Sequence, residues 1–152
     1  MFAQVSTVHP LAAMVDAARN HLKSVLASPA FARSRRHCRL LSYLLDEALR
    51  RPGATSKEMV IAVEVFGRKP CEYDARLDPI VRIEAGRLRQ RLRDYYAGEG
   101  AETTIRFDVP KGAYALTLSL RPSAARPEMT GRNAVAGQIS EIHSLRLAAN
   151  QD

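Results

Sequence analysis

The residues best suited to chemistry in this sequence are five arginines crowded between positions 82 and 93. The planar guanidinium group of arginine binds phosphate oxygens and guanine edges in a forked geometry that an ammonium group does not match. Over residues 79–97 these five arginines are balanced only by Glu84 and Asp94, which leaves a local net charge of +3. The pattern predicts a polyanionic partner, and a basic face that contacts only solvent is the simpler interpretation.

The composition of the whole chain points in the same direction. Its 152 residues carry a formal net charge of +7, and arginine outnumbers lysine by 19 to 4. Hydrophobic residues make up 46%, which suits one globular domain, and every apolar run is far shorter than the ~20 residues that cross a bilayer. The first ten residues lack the basic start and apolar core of a secretion signal. We therefore expect a cytoplasmic protein with no membrane partner.

Residue patterns typical of enzymes and metal sites are weak. The four histidines are scattered, and two cysteines are too few for a zinc site or a disulfide framework. The phosphate-binding loop, the nucleophile elbow and the H-E-x-x-H motif do not occur. His21 falls on or beside an apolar helix face, where a structural role is the usual one. We expect no catalytic activity, no metal and no cofactor.

Hydrophobic periodicity and helix-end signals predict a mainly α domain with a small β-hairpin over residues 10–120. Ser34 and Asp78 are predicted N-caps, and Thr55 with Glu58 forms a predicted capping box. The predicted elements are helices at about 10–28, 34–51, 56–66 and 79–97, and a hairpin at about 103–120.

The two ends of the chain are predicted to be irregular. Residues 1–9 read as a flexible N-terminus, and residues 121–152 read as a proline-containing linker and tail. A short amphipathic helix is expected at 135–148, and it can order on a partner.

The fourth predicted helix has an apolar and a polar side. An inner face is expected at Val81, Ala85, Leu88 and Leu92, with Tyr95 beside it. The outer side carries Arg82, Ile83, Gly86, Gln90 and Arg93, with Arg87 and Arg89 on the two flanks.

A glycine in the middle of this helix needs an explanation. Gly86 costs roughly 1 kcal/mol of helix stability relative to alanine. Either a close approach to another backbone or a tight crossing of two helices would account for it. The sequence leaves both explanations open.

Several stretches of the chain resemble a known family. Val81-Arg-Ile-Glu-Ala-Gly-Arg-Leu-Arg-Gln-Arg-Leu92 and Ile105-Arg-Phe-Asp-Val-Pro-Lys-Gly-Ala-Tyr-Ala-Leu116 resemble the recognition helix and wing of OmpR/PhoB-type winged helices. Short segments such as Val63-Glu-Val-Phe-Gly67 and Asp78-Pro-Ile-Val-Arg82 are similar to segments of a bacterial winged-helix module. That module often precedes adenylate-cyclase-like or tetratricopeptide-repeat regions. Here the module is expected to be free-standing.

The resemblance implies a winged helix-turn-helix that binds specific double-stranded DNA as a bacterial transcriptional regulator. Helix 79–97 would enter the major groove, and hairpin 103–120 would be the wing. Loop 67–77 could contact RNA polymerase or another regulator. Because one such module buries little DNA surface, binding as a homodimer or in tandem is expected. The implied DNA-binding residues are Arg82, Gly86, Arg87, Arg89, Gln90, Arg93, Arg106, Lys111, Arg35 and Arg36.

A second group of arginines supports Arg35 and Arg36 as contacts. Arg33, Arg35, Arg36 and Arg39 stand at the start of a predicted helix, where positive charge opposes the helix dipole. This arrangement is tolerable if the helix start faces phosphate. Pairing of these arginines with acidic residues elsewhere is an equally good interpretation.

Two other functions remain open from the sequence. A winged helix can use the same faces as a protein-interaction module without binding DNA. An RNA-binding role is remote, because the chain lacks the exposed aromatic platform on which single-stranded bases stack.

Overall fold

The computed structural model describes residues 10–121, which form five α-helices followed by a two-stranded antiparallel sheet. The elements are α1 (Pro10–Ala27), α2 (Pro29–Ala32), α3 (Arg35–Arg50), α4 (Glu58–Glu64), α5 (Ile80–Ala97), β1 (Ile105–Asp108) and β2 (Thr117–Leu120). The prediction of a mainly α protein with a small hairpin is confirmed. The segment 1–9 and the predicted helix 135–148 lie outside the described residues.

No helix in the described part of the chain is both long enough and apolar enough to cross a membrane.

The chain between α1 and α3 contains a helical turn that the sequence did not predict. Proline ends α1 as expected, but Pro29 then occupies the first turn of the short helix α2. The Ser28 carbonyl accepts hydrogen bonds from the backbone N–H groups of Phe31 and Ala32, at 3.0 and 2.8 Å. Phe31 is fully buried and anchors the turn in the core.

The three predicted helix caps have different outcomes: Ser34 is the N-cap residue of α3 as predicted, whereas the N-cap residue of α5 is Pro79, one position after the predicted Asp78. Ser34 stands before α3 but makes no capping hydrogen bond, because its hydroxyl contacts His37 Nδ1 instead. The predicted capping box at Thr55 is absent, since α4 begins after Lys57 without a side-chain cap. Asp78 does act at the start of α5, where its Oδ1 accepts a hydrogen bond from the Ile80 N–H at 3.2 Å.

The core forms mainly between α3 and α5. Each contributes a stripe of almost completely buried side chains: Leu40, Leu41, Leu44 and Leu45 from α3, and Val81, Ala85, Leu88 and Leu92 from α5. The predicted inner face of α5 is thereby confirmed, including its fifth member Tyr95, which is 5% exposed. Complete burial of a side chain such as leucine or valine stabilises the fold by about 1.5–3 kcal/mol.

The buried side of α4 differs from the one that the spacing of Met59, Ala62, Val63 and Phe66 predicts. Ile61, Ala62 and Val65 are buried, whereas Met59 is 45% exposed. The sequence around α4 is apolar at almost every position, so its periodicity does not select one face. The packing of α4 against α5 decides which side of α4 is buried.

The hairpin is shorter than predicted. Pairing covers only Ile105 to Asp108 against Leu120 to Thr117, and the chain between the strands is irregular. The alternating pattern predicts an apolar face with Tyr114, Leu116, Leu118 and Leu120 on the second strand. Leu116 is buried, but Leu118 and Leu120 are 39% and 58% exposed, so the core covers only part of that face. A single pair of four-residue strands is too small to cover both ends of such a face.

The buried hydroxyl of Tyr96 links three elements. It accepts a hydrogen bond from the Phe107 N–H of β1 at 2.8 Å and lies 2.9 Å from His21 Nε2 of α1. The structural role expected for His21 is confirmed by this contact. Burial raises the pKa of Tyr96 to about 12, which keeps the hydroxyl protonated.

Substitution of Tyr96 by phenylalanine should destabilise the protein by about 1–3 kcal/mol, because it leaves the Phe107 N–H without a partner in a buried position. The free energy of unfolding in urea measures the effect. Tyr43→Phe is the control, since the half-buried Tyr43 hydroxyl makes no hydrogen bond within residues 10–121 and its loss should cost about 0.5 kcal/mol or less. Equal losses in the two variants would contradict the assignment.

Candidate nucleic-acid interface

The outward side of α5 carries the polar face that the sequence predicts. The exposed residues along it are Arg82, Ile83, Gly86, Arg87, Gln90 and Arg93. Ile83 is 46% exposed although it is a large apolar residue. The 18 residues of α5 extend over about 27 Å, so the face is long enough to lie along a groove of a nucleic acid.

Gly86 lies at the middle of this face with open space in front of it. A Cβ atom built on Gly86 would meet no atom within 4 Å, apart from its own chain neighbours and helix backbone. A tight crossing of two helices within the described chain therefore does not explain the glycine. Among residues 10–121, nothing lies close enough to Gly86 to require a glycine, and the space in front of it is open.

The exposed arginines of this face make contacts that can be exchanged. Arg82 donates to the Ala75 carbonyl at 2.6 Å, and Arg93 donates to Gln90 Oε1 at 2.6 Å. Gln90 in turn donates to Asp94 Oδ1 at 2.7 Å. Contacts between exposed polar groups contribute little to stability, so a ligand can replace them at small cost.

Arg89 has a different environment from the one that the family resemblance implies. Its half-buried side chain donates to the carbonyls of Val109 and Pro110, at 2.7 and 2.9 Å. These carbonyls belong to the irregular loop of the hairpin, which has no strand partner there. Arg89 therefore fastens the hairpin loop to α5.

Arg91 is also engaged within the protein. It is half-buried and donates to the Ala30 carbonyl of α2. Three of the five arginines of α5 remain exposed, namely Arg82, Arg87 and Arg93.

The two candidate residues of the hairpin differ in accessibility. Lys111 is exposed at the tip of the loop, next to Gly112, whose φ of +81° favours glycine. Arg106 is half-buried on β1, with its guanidinium 5.3 Å from the centre of the Tyr96 ring and a 3.3 Å hydrogen bond to the Ala101 carbonyl. Lys111 is thus the freer of the two cations.

The start of α3 lies beside the middle of α5. Arg36 Nη1 is 4.0 Å from Glu84 Oε1, and Arg87 donates to the same oxygen at 3.0 Å. Arg35 is exposed and pairs with no acidic side chain within the described residues. Pairing with an acidic side chain therefore offsets part of the charge of Arg36 at the start of α3. It does not offset the charge of Arg35.

The buried pair of Glu84 and His37 is a feature that sequence reasoning missed. Glu84 Oε2 lies 2.9 Å from His37 Nε2 at an angle poor for a hydrogen bond, and both side chains are about 95% buried. The Ser34 hydroxyl contacts the other ring nitrogen. The helical position of Glu84, next to Ala85 and one turn before Leu88, was the signal that placed it on the buried flank.

The loop before α5 is fixed at its end by an ion pair. Arg68 donates to Asp78 Oδ2 at 2.6 Å. Leu77 in this loop is 84% exposed, but single exposed leucines are common on protein surfaces and do not identify a partner.

Within residues 10–121, no group of three or more His, Cys, Asp and Glu side chains is placed to hold a metal ion. Comparison with models of protein families, with curated protein sequences and with solved structures finds no match.

Two buried histidines should make the protein less stable in mild acid. Burial disfavours the charged ring and lowers the pKa of His21 and of His37. The unfolded chain, with histidine pKa values of about 6.5, then binds more protons than the folded chain below that pH. Stability is fully present above about pH 6.5 and should fall as the pH decreases from there.

Thermal unfolding between pH 5 and pH 8 checks this expectation. The melting temperature should be level above about pH 7 and fall below about pH 6.5. A variant with both His21→Asn and His37→Asn should have a flatter profile over that range, even though its melting temperature is lower throughout. A profile parallel to that of the unmodified protein would refute the role of these histidines.

Proposed function

We propose that this chain is a winged helix-turn-helix protein that binds double-stranded DNA and acts as a cytoplasmic regulator of transcription. Helix α5 lies in the major groove, and the hairpin acts as the wing. One observation carries the proposal: Arg89 fastens the hairpin loop directly beside the exposed, arginine-bearing face of α5.

The connections of the hairpin support this architecture. The Ser56 N–H, in the segment between α3 and α4, donates to the Tyr114 carbonyl of the hairpin loop at 2.8 Å. Tyr96 of α5 holds β1 through the Phe107 N–H. Two helices in succession and a hairpin attached at their side are the parts that a winged helix needs to present one helix to a groove.

The residues of the α5 face suit the edges and backbone of a duplex. The major groove of B-DNA is about 12 Å wide and admits one α-helix. Arg82 and Arg93 are separated by about 16 Å along α5, which lets them reach phosphates at two points of the groove. Between them, Ile83 can contact a thymine methyl group and Gln90 can bind adenine once its contact with Asp94 is released.

Binding to duplex DNA should be strong at low salt and weaken as salt increases. The logarithm of the association constant should fall by about 0.9 per log unit of salt for each phosphate that is neutralised. Arg93→Ala should lower affinity and reduce that slope by about 1, with little change in melting temperature because the side chain is exposed. Fluorescence anisotropy with a labelled duplex measures both quantities.

The matched control is Arg50→Ala, which removes the same charge from an exposed arginine at the far end of α3. Equal effects of the two substitutions would indicate attraction by net charge alone. An absence of duplex binding at low salt would overturn the proposal and leave a protein-interaction module, the second function that the sequence left open.

Gly86→Ala separates stability from binding. An alanine here gains up to ~1 kcal/mol of helix stability and meets no neighbouring atom in the protein. We expect a more stable protein that binds duplex DNA about tenfold or more weakly, because the added methyl group displaces the DNA from α5.

Urea unfolding and duplex titration of Gly86→Ala provide the two measurements. Asn20→Ala on the exposed side of α1 is the control, since it also raises helix propensity but lies on another helix. If Gly86→Ala binds DNA as tightly as the unmodified protein, the duplex does not approach α5 at its centre.

A further inference from the structure

A pocket of about 690 Å³ opens at the start of α3, where that helix meets the middle of α5. Four arginines line it: Arg33 after the end of α2, Arg35 and Arg36 at the start of α3, and Arg87 from α5. Arg36 and Arg87 are 69% and 65% exposed along their side chains, so both can move towards a ligand.

The charges around this pocket are strongly unbalanced. Its lining residues include four arginines and a single acidic residue, Glu84. Glu84 is buried at the base of the pocket, where Arg87 donates to it at 3.0 Å. His37 adds no compensating negative charge, and burial lowers the pKa of its ring, which favours the neutral form. The pocket is therefore an electropositive cavity with a single acid beneath it.

The backbone of α3 adds to this positive potential. The first N–H groups of a helix have no partner within the helix, and the helix dipole makes this end positive. Ser34 would normally accept a hydrogen bond from one of them, but its hydroxyl contacts His37 Nδ1 and makes no cap. Cations at this end of a helix oppose the dipole and destabilise the free protein. An anion in the pocket relieves that repulsion.

We propose that this pocket binds one phosphate group, held by the guanidinium groups of Arg35, Arg36 and Arg87 and by the first-turn N–H groups of α3. A phosphate offers several acceptor oxygens for the guanidinium groups, and its negative charge offsets part of their excess positive charge. Glu84 positions Arg87 at the wall of the pocket and limits the charge that the pocket accepts.

The position of the pocket suggests two sources for the phosphate. Arg89 holds the hairpin on one flank of α5, and Arg91, Glu84 and Arg87 lie towards the other flank, where α2 and α3 pack. A duplex lying on the exposed face of α5 would meet the hairpin on one side and this pocket on the other. The phosphate can thus belong to a DNA backbone or to a free phosphorylated compound, and only the first source depends on the proposed function.

Titration of the whole protein with inorganic pyrophosphate at constant ionic strength tests the site, with isothermal calorimetry as the measurement. We expect saturable binding of one pyrophosphate per chain. Arg36→Ala should weaken that binding about tenfold, since it removes a charge-assisted hydrogen bond. Arg50→Ala is the matched control, because it stands about 21 Å away along the same helix and is equally exposed. Its binding should stay within about twofold of the unmodified protein, since salt screens charges beyond about 8 Å.

Each outcome decides the proposal. Pyrophosphate binding that does not saturate, or that Arg36→Ala and Arg50→Ala weaken equally, would overturn the site. Saturable binding that only Arg36→Ala weakens supports it. A labelled duplex then identifies the source: competition with pyrophosphate assigns the site to backbone phosphate, and simultaneous binding assigns it to a free phosphorylated ligand. If the duplex does not bind at all but pyrophosphate does, the DNA-binding function fails and the phosphate site stands.

Discussion

The guanidinium group of Arg89 is the interaction on which the arrangement of this protein depends. It donates two hydrogen bonds, at 2.7 and 2.9 Å, to carbonyl groups of the hairpin loop that lack strand partners. A hairpin with two four-residue strands is marginal in water, so it needs contacts with the helical domain. Arg89 supplies such a contact from α5. It thereby holds the hairpin loop beside the exposed polar face of that helix.

Two further polar contacts hold the hairpin from other directions. The Tyr96 hydroxyl holds β1 from the inner side of α5, and the Ser56 backbone holds the loop from the segment before α4. The three contacts engage buried or half-buried backbone groups, where the loss of a partner is costly. These contacts add to the burial of Phe107, Val109 and Leu116, which packs the inner side of the hairpin into the core.

The five arginines of α5 divide into two groups according to their angle around the helix. Arg89 and Arg91 lie on the flanks and bond to backbone carbonyls of the hairpin and of α2. Arg82, Arg87 and Arg93 lie farther outward and stay exposed. Half-buried Arg89 and Arg91 thus hold elements of the fold together, whereas the contacts of exposed Arg82, Arg87 and Arg93 leave their guanidinium groups accessible to a partner. Glu84 lies between them on the buried flank, where it balances part of the positive charge that faces α3.

The sequence by itself determined four of the five helices and the two sides of α5, because hydrophobic periodicity is a local signal that the core then follows. It could not determine the ends of the hairpin, the buried side of α4 or the fate of Arg89, Arg91 and Glu84. Those features depend on residues far apart in the chain: Arg89 bonds to carbonyls 20 and 21 positions away, and Arg91 to one 61 positions away. An arginine on a helix flank is free or engaged according to which backbone carbonyl packs beside it, and only the tertiary structure decides that.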